Sequence, residues 1–242
     1  MTAAPTPRFD GRLAVVTGVG RAGQAGDAVA RRFGELGARV AILARRSGDA
    51  AARADELRRD GIDATAHACD LTDANAIAGV AGEIAAQNGG HVDALANIAG
   101  GFLAGGTVAD GDPDAWQQLF TINVASAYGA TRAFLPFVRA ARGAIVFVAS
   151  AAVLPGGTVA GIGAYAASKS AVIALMRAVA QEERPQHVRA NALAPTAIRT
   201  AANHETMGDA FPYVEREAFA DMVAFLCSPA AVNVSGQVIE LA

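Results

Sequence analysis

The sequence predicts an α/β fold: a single domain over residues 1–242, built on a doubly wound, seven-stranded parallel sheet with helices on both faces. Three observations carry this. Strand-length apolar runs alternate with helix-length segments along the whole chain. The strand runs are nearly continuously apolar, as expected of strands buried on both faces. A glycine-rich turn joins the first strand to the first helix.

The elements follow in order. Leu13-Ala14-Val15-Val16 is the first strand, and residues 25–36 carry helical periodicity. A second strand at 39–43 ends at Ala44-Arg45-Arg46, and 49–59 is a helix rich in Ala, Arg and Glu. Residues 64–69 form a third strand, and 73–87 a helix with Asp73 at its start. A fourth strand at 92–98 precedes one long helix over 115–139, with Trp116 near its beginning. A fifth strand at 144–149 leads to a helix over 164–182. A sixth strand at 188–194, a helix at 216–226 and a last strand at 237–241 complete the chain. No linker or internal repeat divides it. In such sheets ligands bind beyond the carboxyl ends of the strands, so functional residues are expected there.

Composition narrows the function. Apolar residues make up 52% and charged residues 18%, with a formal net charge of −3. This balance supports a large core and argues against a nucleic-acid partner. The pairs Arg31-Arg32 and Arg58-Arg59 are offset by nearby acids and read as solvated. Cys69 and Cys227 sit apart in apolar settings, as buried reduced thiols of a cytoplasmic protein would. Residues 1–10 have no apolar stretch of the signal-peptide kind, and the weakly polar run 144–155 is too short to span a bilayer. The four histidines show no metal-ligand spacing.

The turn after the first strand reads Thr17-Gly18-Val19-Gly20-Arg21-Ala22-Gly23-Gln24-Ala25-Gly26. A G-x-G-x-x-G lies at Gly18, Gly20 and Gly23, between strand and helix. That context makes the fold Rossmann-type, with backbone approaching a pyrophosphate at a helix N-terminus; a glycine turn without ligand is the alternative. At the end of the second strand Arg45 and Arg46 stand where an acid would bind a ribose diol. Their guanidiniums suit a 2′-phosphate, and Arg21 could add to them, so NADP is favoured over NAD; the alternative is that both face solvent. Asp70, after the third strand, reads equally as an adenine contact and as a turn aspartate. Asn97-Ile98-Ala99-Gly100 closes the fourth strand, with small residues that admit a ribose and an asparagine able to tie strands together.

Tyr165 and Lys169 stand four residues apart, on one face of a helix. A phenol has a pKa of about 10. A cation about 5 Å away is worth roughly 3 kcal/mol at an effective dielectric of 20, or on the order of two pH units, enough to bring the phenol towards working range.

In this order along nearly the whole chain, Thr17-Gly18 with its turn, Asp70, Asn97-Ile98-Ala99-Gly100, Asn123, Ser150, Tyr165, Lys169 and Pro195 resemble the motifs of the short-chain dehydrogenase/reductase family. The resemblance implies a Ser150–Tyr165–Lys169–Asn123 tetrad. Tyr165 would exchange a proton with the substrate oxygen as hydride moves to or from the nicotinamide. Ser150 would hold the same oxygen. Lys169 would lower the tyrosine pKa and hold the nicotinamide ribose, and Asn123 would position a water leading from Lys169 to solvent. The nucleotide would lie against Gly18, Gly20, Arg21, Gly23, Gln24, Ala25 and Gly26, then Arg45 and Arg46, and Asp70 with Leu71. Asn97, Ala99 and Gly100 would follow, and Pro195, Ala197, Ile198 and Thr200 would close the site beside Tyr165 and Lys169.

The departures are specific. The glycine turn is about two residues longer than the family pattern, with Gly26 taking the final glycine position and Gln24 falling where glycine is usual. Ser150 and Tyr165 are also further apart than usual, the extra residues falling in the loop 156–163. Thr196 replaces the glycine that commonly follows Pro195. The substrate loop, about 198–214, is short, and Phe102, Leu154, Met207, Phe211 and Tyr213 are candidates for an apolar wall or for ordinary core. The resulting expectation is an NADPH-dependent reductase of a ketone or 3-oxoacyl-type substrate, or the reverse alcohol dehydrogenase. The alternative is a nucleotide-binding protein of dehydratase, lyase or regulatory function. Small residues on the two long helices (Ala125, Ala127, Gly129, Ala171, Ala174) suit close packing between subunits, and a homotetramer is expected.

Overall fold

The computed structural model describes residues 8–103 and 106–242. Its strands are β1 (Leu13–Thr17), β2 (Arg39–Ala44), β3 (Ala64–Ala68), β4 (Ala94–Asn97), β5 (Ala144–Val148), β6 (Arg189–Pro195) and β7 (Val238–Leu241). They form one parallel sheet in the order β3-β2-β1-β4-β5-β6-β7. Between them run α1 (Ala25–Glu35), α2 (Ser47–Arg59), α3 (Ala74–Ala86), α4 (Pro113–Phe120), α5 (Ser126–Ala141), α6 (Gly163–Glu182), α7 (Ala201–Met207) and α8 (Arg216–Cys227). None of the described helices is long and apolar enough to cross a membrane.

Period-two alternation inside the apolar strands sorts the core into two layers. Ala14 and Val16 of β1 pack with Val29 and Phe33 of α1 and Phe219 and Val223 of α8. Leu13 and Val15 pack on the other face with Ile77 of α3, Phe134 of α5 and Met176 of α6. Both cysteines are buried free thiols. Strand order reverses between β1 and β4, and the crevice of a doubly wound sheet opens at that reversal.

Two expectations need correction. The long helix is not continuous: a π-helical turn at Thr121–Ala125 separates α4 from α5. The sequence still reads as helix throughout, because a π turn changes hydrogen-bond register and leaves the helical direction intact. The small residues also divide by role. Ala125 and Ala174 are exposed, whereas Ala127 lies in the chain's own core. Gly129 faces its own chain too: a Cβ there would stand 2.1 Å from the Leu71 carbonyl oxygen.

Gly129→Ala is therefore expected to destabilise the protein by about 1–3 kcal/mol through overpacking. In an unhindered helix the same change stabilises by up to about 1 kcal/mol. The shift of the urea midpoint reads the sign directly.

Candidate active site

The crevice begins with a close approach of backbone to backbone. Gly18 follows β1 with φ +77°, and a Cβ there would lie 2.8 Å from the backbone of Ala99, beyond β4. The Thr17 hydroxyl latches the two strand ends, accepting from the amides of Ile98 and Ala99 at 3.0 Å each. Gly26, in the first turn of α1, is equally confined: its Cβ would meet the Gly18 carbonyl oxygen at 2.6 Å. Gly23, at φ +65°, donates to Asp27 (2.9 Å) and accepts from the Arg216 guanidinium (2.7 Å). Gly20 has only ordinary contacts, the nearest at 3.8 Å. Packing thus singles out Gly18, Gly23 and Gly26 and gives Gly26 the closing position. No side chain caps the amino end of α1 at Gln24, so the first amides from Ala25 onward have no side-chain acceptor. A glycine cradle with uncapped helix amides fits a pyrophosphate.

Arg45 and Arg46 are exposed beyond β2, Arg21 is exposed in the glycine turn, and none makes an ion pair or side-chain hydrogen bond among the described residues. Beside them, at the end of β3, Asp70 turns one carboxylate oxygen onto the amide (2.9 Å) and hydroxyl (2.7 Å) of Thr72. These bonds, with a smaller contribution from the Arg45 charge, hold its carboxyl below the usual range. The turn role is realised. Leu71 lines a cavity of about 370 Å³ between α3 and α5. One group escaped the sequence reading: in α2, Asp49 brings a carboxylate oxygen to 4.0 Å from the Cβ position of Gly20. A carboxylate therefore does stand near the arginines, reached through space from the first turn of the next helix.

Asn97 is buried, and its amide donates to Thr131 of α5 at 3.0 Å while its Oδ1 has no partner. It ties strand to helix, not strand to strand. Asn123 lies in the π turn and is fully engaged. Its Oδ1 accepts from the Gly101 amide (2.9 Å), and its Nδ2 donates to the Gly101 carbonyl (3.1 Å) and to Ser168 Oγ (3.0 Å). Ser168 in turn donates to the Tyr165 carbonyl at 2.8 Å. The asparagine side chain thus fixes the loop after β4 to α6. Gly100 has no room for a side chain, since a Cβ would meet Asn123 Oδ1 at 2.6 Å and lie 3.6 Å from Lys169 Nζ.

Ser150 stands two residues beyond β5 and Tyr165 in the first turn of α6, and across the longer intervening loop their hydroxyls still converge. Lys169 is buried; its Nζ donates to the Val148 carbonyl at 2.9 Å and lies 5.8 Å from the Tyr165 ring centroid. Burial pushes the Lys169 amine down to about 8. Burial also raises the Tyr165 phenol above its ordinary value, and the Ser150 hydroxyl acts the other way. Against the expected lowering, burial, which disfavours the phenolate, sets the direction, and the Ser150 hydroxyl is the group that opposes it.

Phe102 stacks edge-on against Tyr165 at 5.0 Å between centroids and is 47% exposed, forming one wall of the mouth. Leu154 is half-buried against the core, and Met207 is exposed on α7. Pro195, Ala197, Ile198 and Thr200 are buried at the end of β6, where Thr200 caps α7. The substrate loop thus contains a short helix. It is fastened internally: Tyr213 donates to Gly208 (2.9 Å), Phe211 packs on Tyr213 (5.5 Å), and Arg199 stacks over Tyr213 (4.7 Å) while pairing with Glu215 (2.6 Å). Thr196 adds a bond to the Pro212 carbonyl at 3.2 Å.

Comparison with known proteins agrees with this geometry. The family model for short chain dehydrogenases matches residues 12–210. The chain is 30% identical over 217 residues to the meso-2,3-butanediol dehydrogenase of Serratia marcescens, covering 90% of this chain and 81% of the relative. It is 32% identical to the D-threitol dehydrogenase of Mycolicibacterium smegmatis, covering 95% of this chain and 90% of the relative. A solved structure of a putative NAD(P) dependent gluconate 5-dehydrogenase from Beutenbergia cavernae, described with bound NADP at low occupancy, superposes with a TM-score of 0.84 at 34% identity over 96% of each chain. The chain belongs to the short-chain dehydrogenase family of NAD(P)-binding oxidoreductases.

Proposed function

We propose that the chain reduces a ketone, or oxidises the corresponding secondary alcohol, with Tyr165 as the acid or base and NADP(H) as the favoured nucleotide. The observation that carries this reading is the convergence of Ser150, Tyr165 and Lys169 beside the cradle of Gly18 and Gly26. A nicotinamide nucleotide bound in the crevice supplies or accepts the hydride. Tyr165, kept protonated by burial, gives its proton to the carbonyl oxygen. Ser150 donates a hydrogen bond to the same oxygen and stabilises its developing charge. Lys169 faces the phenol with a charge that favours the phenolate when alcohol is the substrate. Asn123 acts through Gly101 and Ser168, holding the loop that flanks the nucleotide and the helix that carries the phenol.

The unpaired guanidiniums of Arg45 and Arg46 support NADP, and the solved relative described with NADP agrees. Asp49 opposes them with a single carboxylate. Two of the relatives are named for small diol and polyol substrates, and the mouth beside Tyr165, walled by Phe102, suits an uncharged carbonyl compound of that size. The exposed Tyr128 and Ala125 on the flank of α5 support assembly as a homotetramer through the long helices.

Tyr165→Phe is expected to lower kcat by at least about 10²-fold while NADPH affinity changes less than a few-fold. Near-normal turnover on a ketone panel would remove the acid/base assignment. Replacing Arg45 and Arg46 together by serine is expected to weaken NADPH about tenfold or more and to leave NADH unchanged; equal losses for both nucleotides would place the arginines outside the phosphate contact. Light scattering at micromolar concentration is expected to give four chains per particle, and a one-chain mass would refute the assembly.

A further inference from the structure

At the opposite edge of the sheet, where the strands begin, lies a cavity of about 930 Å³. Five arginines line it: Arg12 just before β1, Arg142 between α5 and β5, Arg177 on α6, Arg184 after α6, and Arg189 at the start of β6. Asp93 is its one carboxylate, and that group already accepts from the Leu13 amide at 2.9 Å. The chain as a whole is acidic, with a formal charge of −3, so this concentration of cations runs against its average.

Apart from Arg21, Arg45 and Arg46 at the nucleotide crevice, many arginines elsewhere on the surface are paired. Arg31, Arg32, Arg139 and Arg199 each pair with a carboxylate. Among the described residues, the guanidiniums of Arg12, Arg142, Arg177 and Arg184 have no ion pair and no hydrogen bond. Arg189 bonds only to carbonyl oxygens, of Leu226 at 2.6 Å and Ser228 at 3.0 Å. The nearby Glu183 is fully used by Arg139. Residues 1–7, 104 and 105 include no acid that could neutralise the cluster.

Basic residues at helix carboxyl ends complement the helix dipole, which accounts for Arg142 and Arg184 but not for Arg12 before a strand or Arg177 within α6. Arg177, Gln181 and Arg184 lie at helical spacing and line one wall. The backbone adds a second signal. The non-glycine residues at positive φ in the described chain are Arg142 (51°) and His187 (60°), and both line this cavity. Glycine is the usual occupant of such positions after a helix, so the chain accepts backbone strain there to present cationic or polar side chains.

We propose that this cavity binds a small multivalent anion carrying two or more phosphate or carboxylate groups, at a site separate from the nucleotide crevice. Guanidiniums bind both groups bidentately. The volume suits a small molecule, and the net negative charge of the chain disfavours nucleic acid. Bound only by the folded chain, the anion stabilises it by mass action.

Isothermal titration calorimetry at low ionic strength tests this, with inorganic tripolyphosphate as the phosphate probe and citrate as the carboxylate probe. With the nucleotide crevice filled by saturating NADPH, one further saturable site per chain is expected, weakening as sodium chloride is added. The probe that binds more tightly identifies the anion's chemistry. Arg177→Gln with Arg184→Gln is expected to weaken binding about tenfold or more, whereas Arg45→Gln with Arg46→Gln leaves it unchanged. Should the first pair fail to fold, the exposed Arg142→Gln is expected to weaken binding several-fold. No saturable binding of either probe, or loss only in the Arg45/Arg46 variant, overturns the proposal.

Discussion

The whole site depends on how closely two strand ends approach where strand order reverses. Gly18 lies against the backbone of Ala99 with no space for a methyl group, and Thr17 fixes that approach with one hydroxyl accepting from two successive amides. Each such bond contributes only about 1 kcal/mol net. Their larger effect is geometric: they prevent β1 and β4 from separating at the reversal, so the crevice has rigid walls. Gly26 then sets α1 down against the Gly18 carbonyl, which aims the uncapped helix amides into the same space. A side chain at Gly18 or Gly26 would push apart elements that carry opposite walls of the crevice.

A second tie transmits this placement to Tyr165 and its helix. Asn123 clasps Gly101 from both sides and holds Ser168, which holds the Tyr165 carbonyl. The loop leaving β4 and the first turn of α6 are thereby one unit. Asn123 makes these bonds from within the π turn, where the hydrogen-bond register changes between α4 and α5, and π turns recur at functional sites.

The sheet was legible because its signals are local. Apolar runs, turn glycines and helical periodicity place all seven strands to within two residues. The Tyr165/Lys169 pair was legible for the same reason, since its spacing is a property of one helix. What escaped reading depends on contacts across the fold. The π turn holds Asn123 against a loop residue 22 positions away in sequence. Asp49 reaches Gly20 from a different helix, so no spacing rule announces it. Gly129 looks like any small helical residue until the Leu71 carbonyl is placed against it. The short α7, fastened by Thr200, Tyr213 and Arg199, lacks the length that periodicity needs. Among the glycines, sequence offers Gly20 as readily as Gly26, and only the neighbouring backbone distinguishes them.

Burial acts on Tyr165 and Lys169 in opposite chemical senses and arrives at one resting arrangement. It disfavours the phenolate and the ammonium alike, because each is the charged form of its group. At pH 7 an amine with a pKa of about 8 still carries its proton about nine times in ten. The resting pair under the proposed mechanism is therefore a neutral phenol beside a cation. That arrangement suits proton donation to a carbonyl oxygen without preparation. In the oxidative direction the phenol must lose its proton in a setting that resists charge, and the Ser150 hydroxyl and the nearby ammonium are the groups placed to offset it. As pH rises through about 8 that offset is lost while the cost of the phenolate remains. Under the proposed mechanism burial thus limits how far alkaline conditions can favour alcohol oxidation, even though they supply the base that oxidation needs.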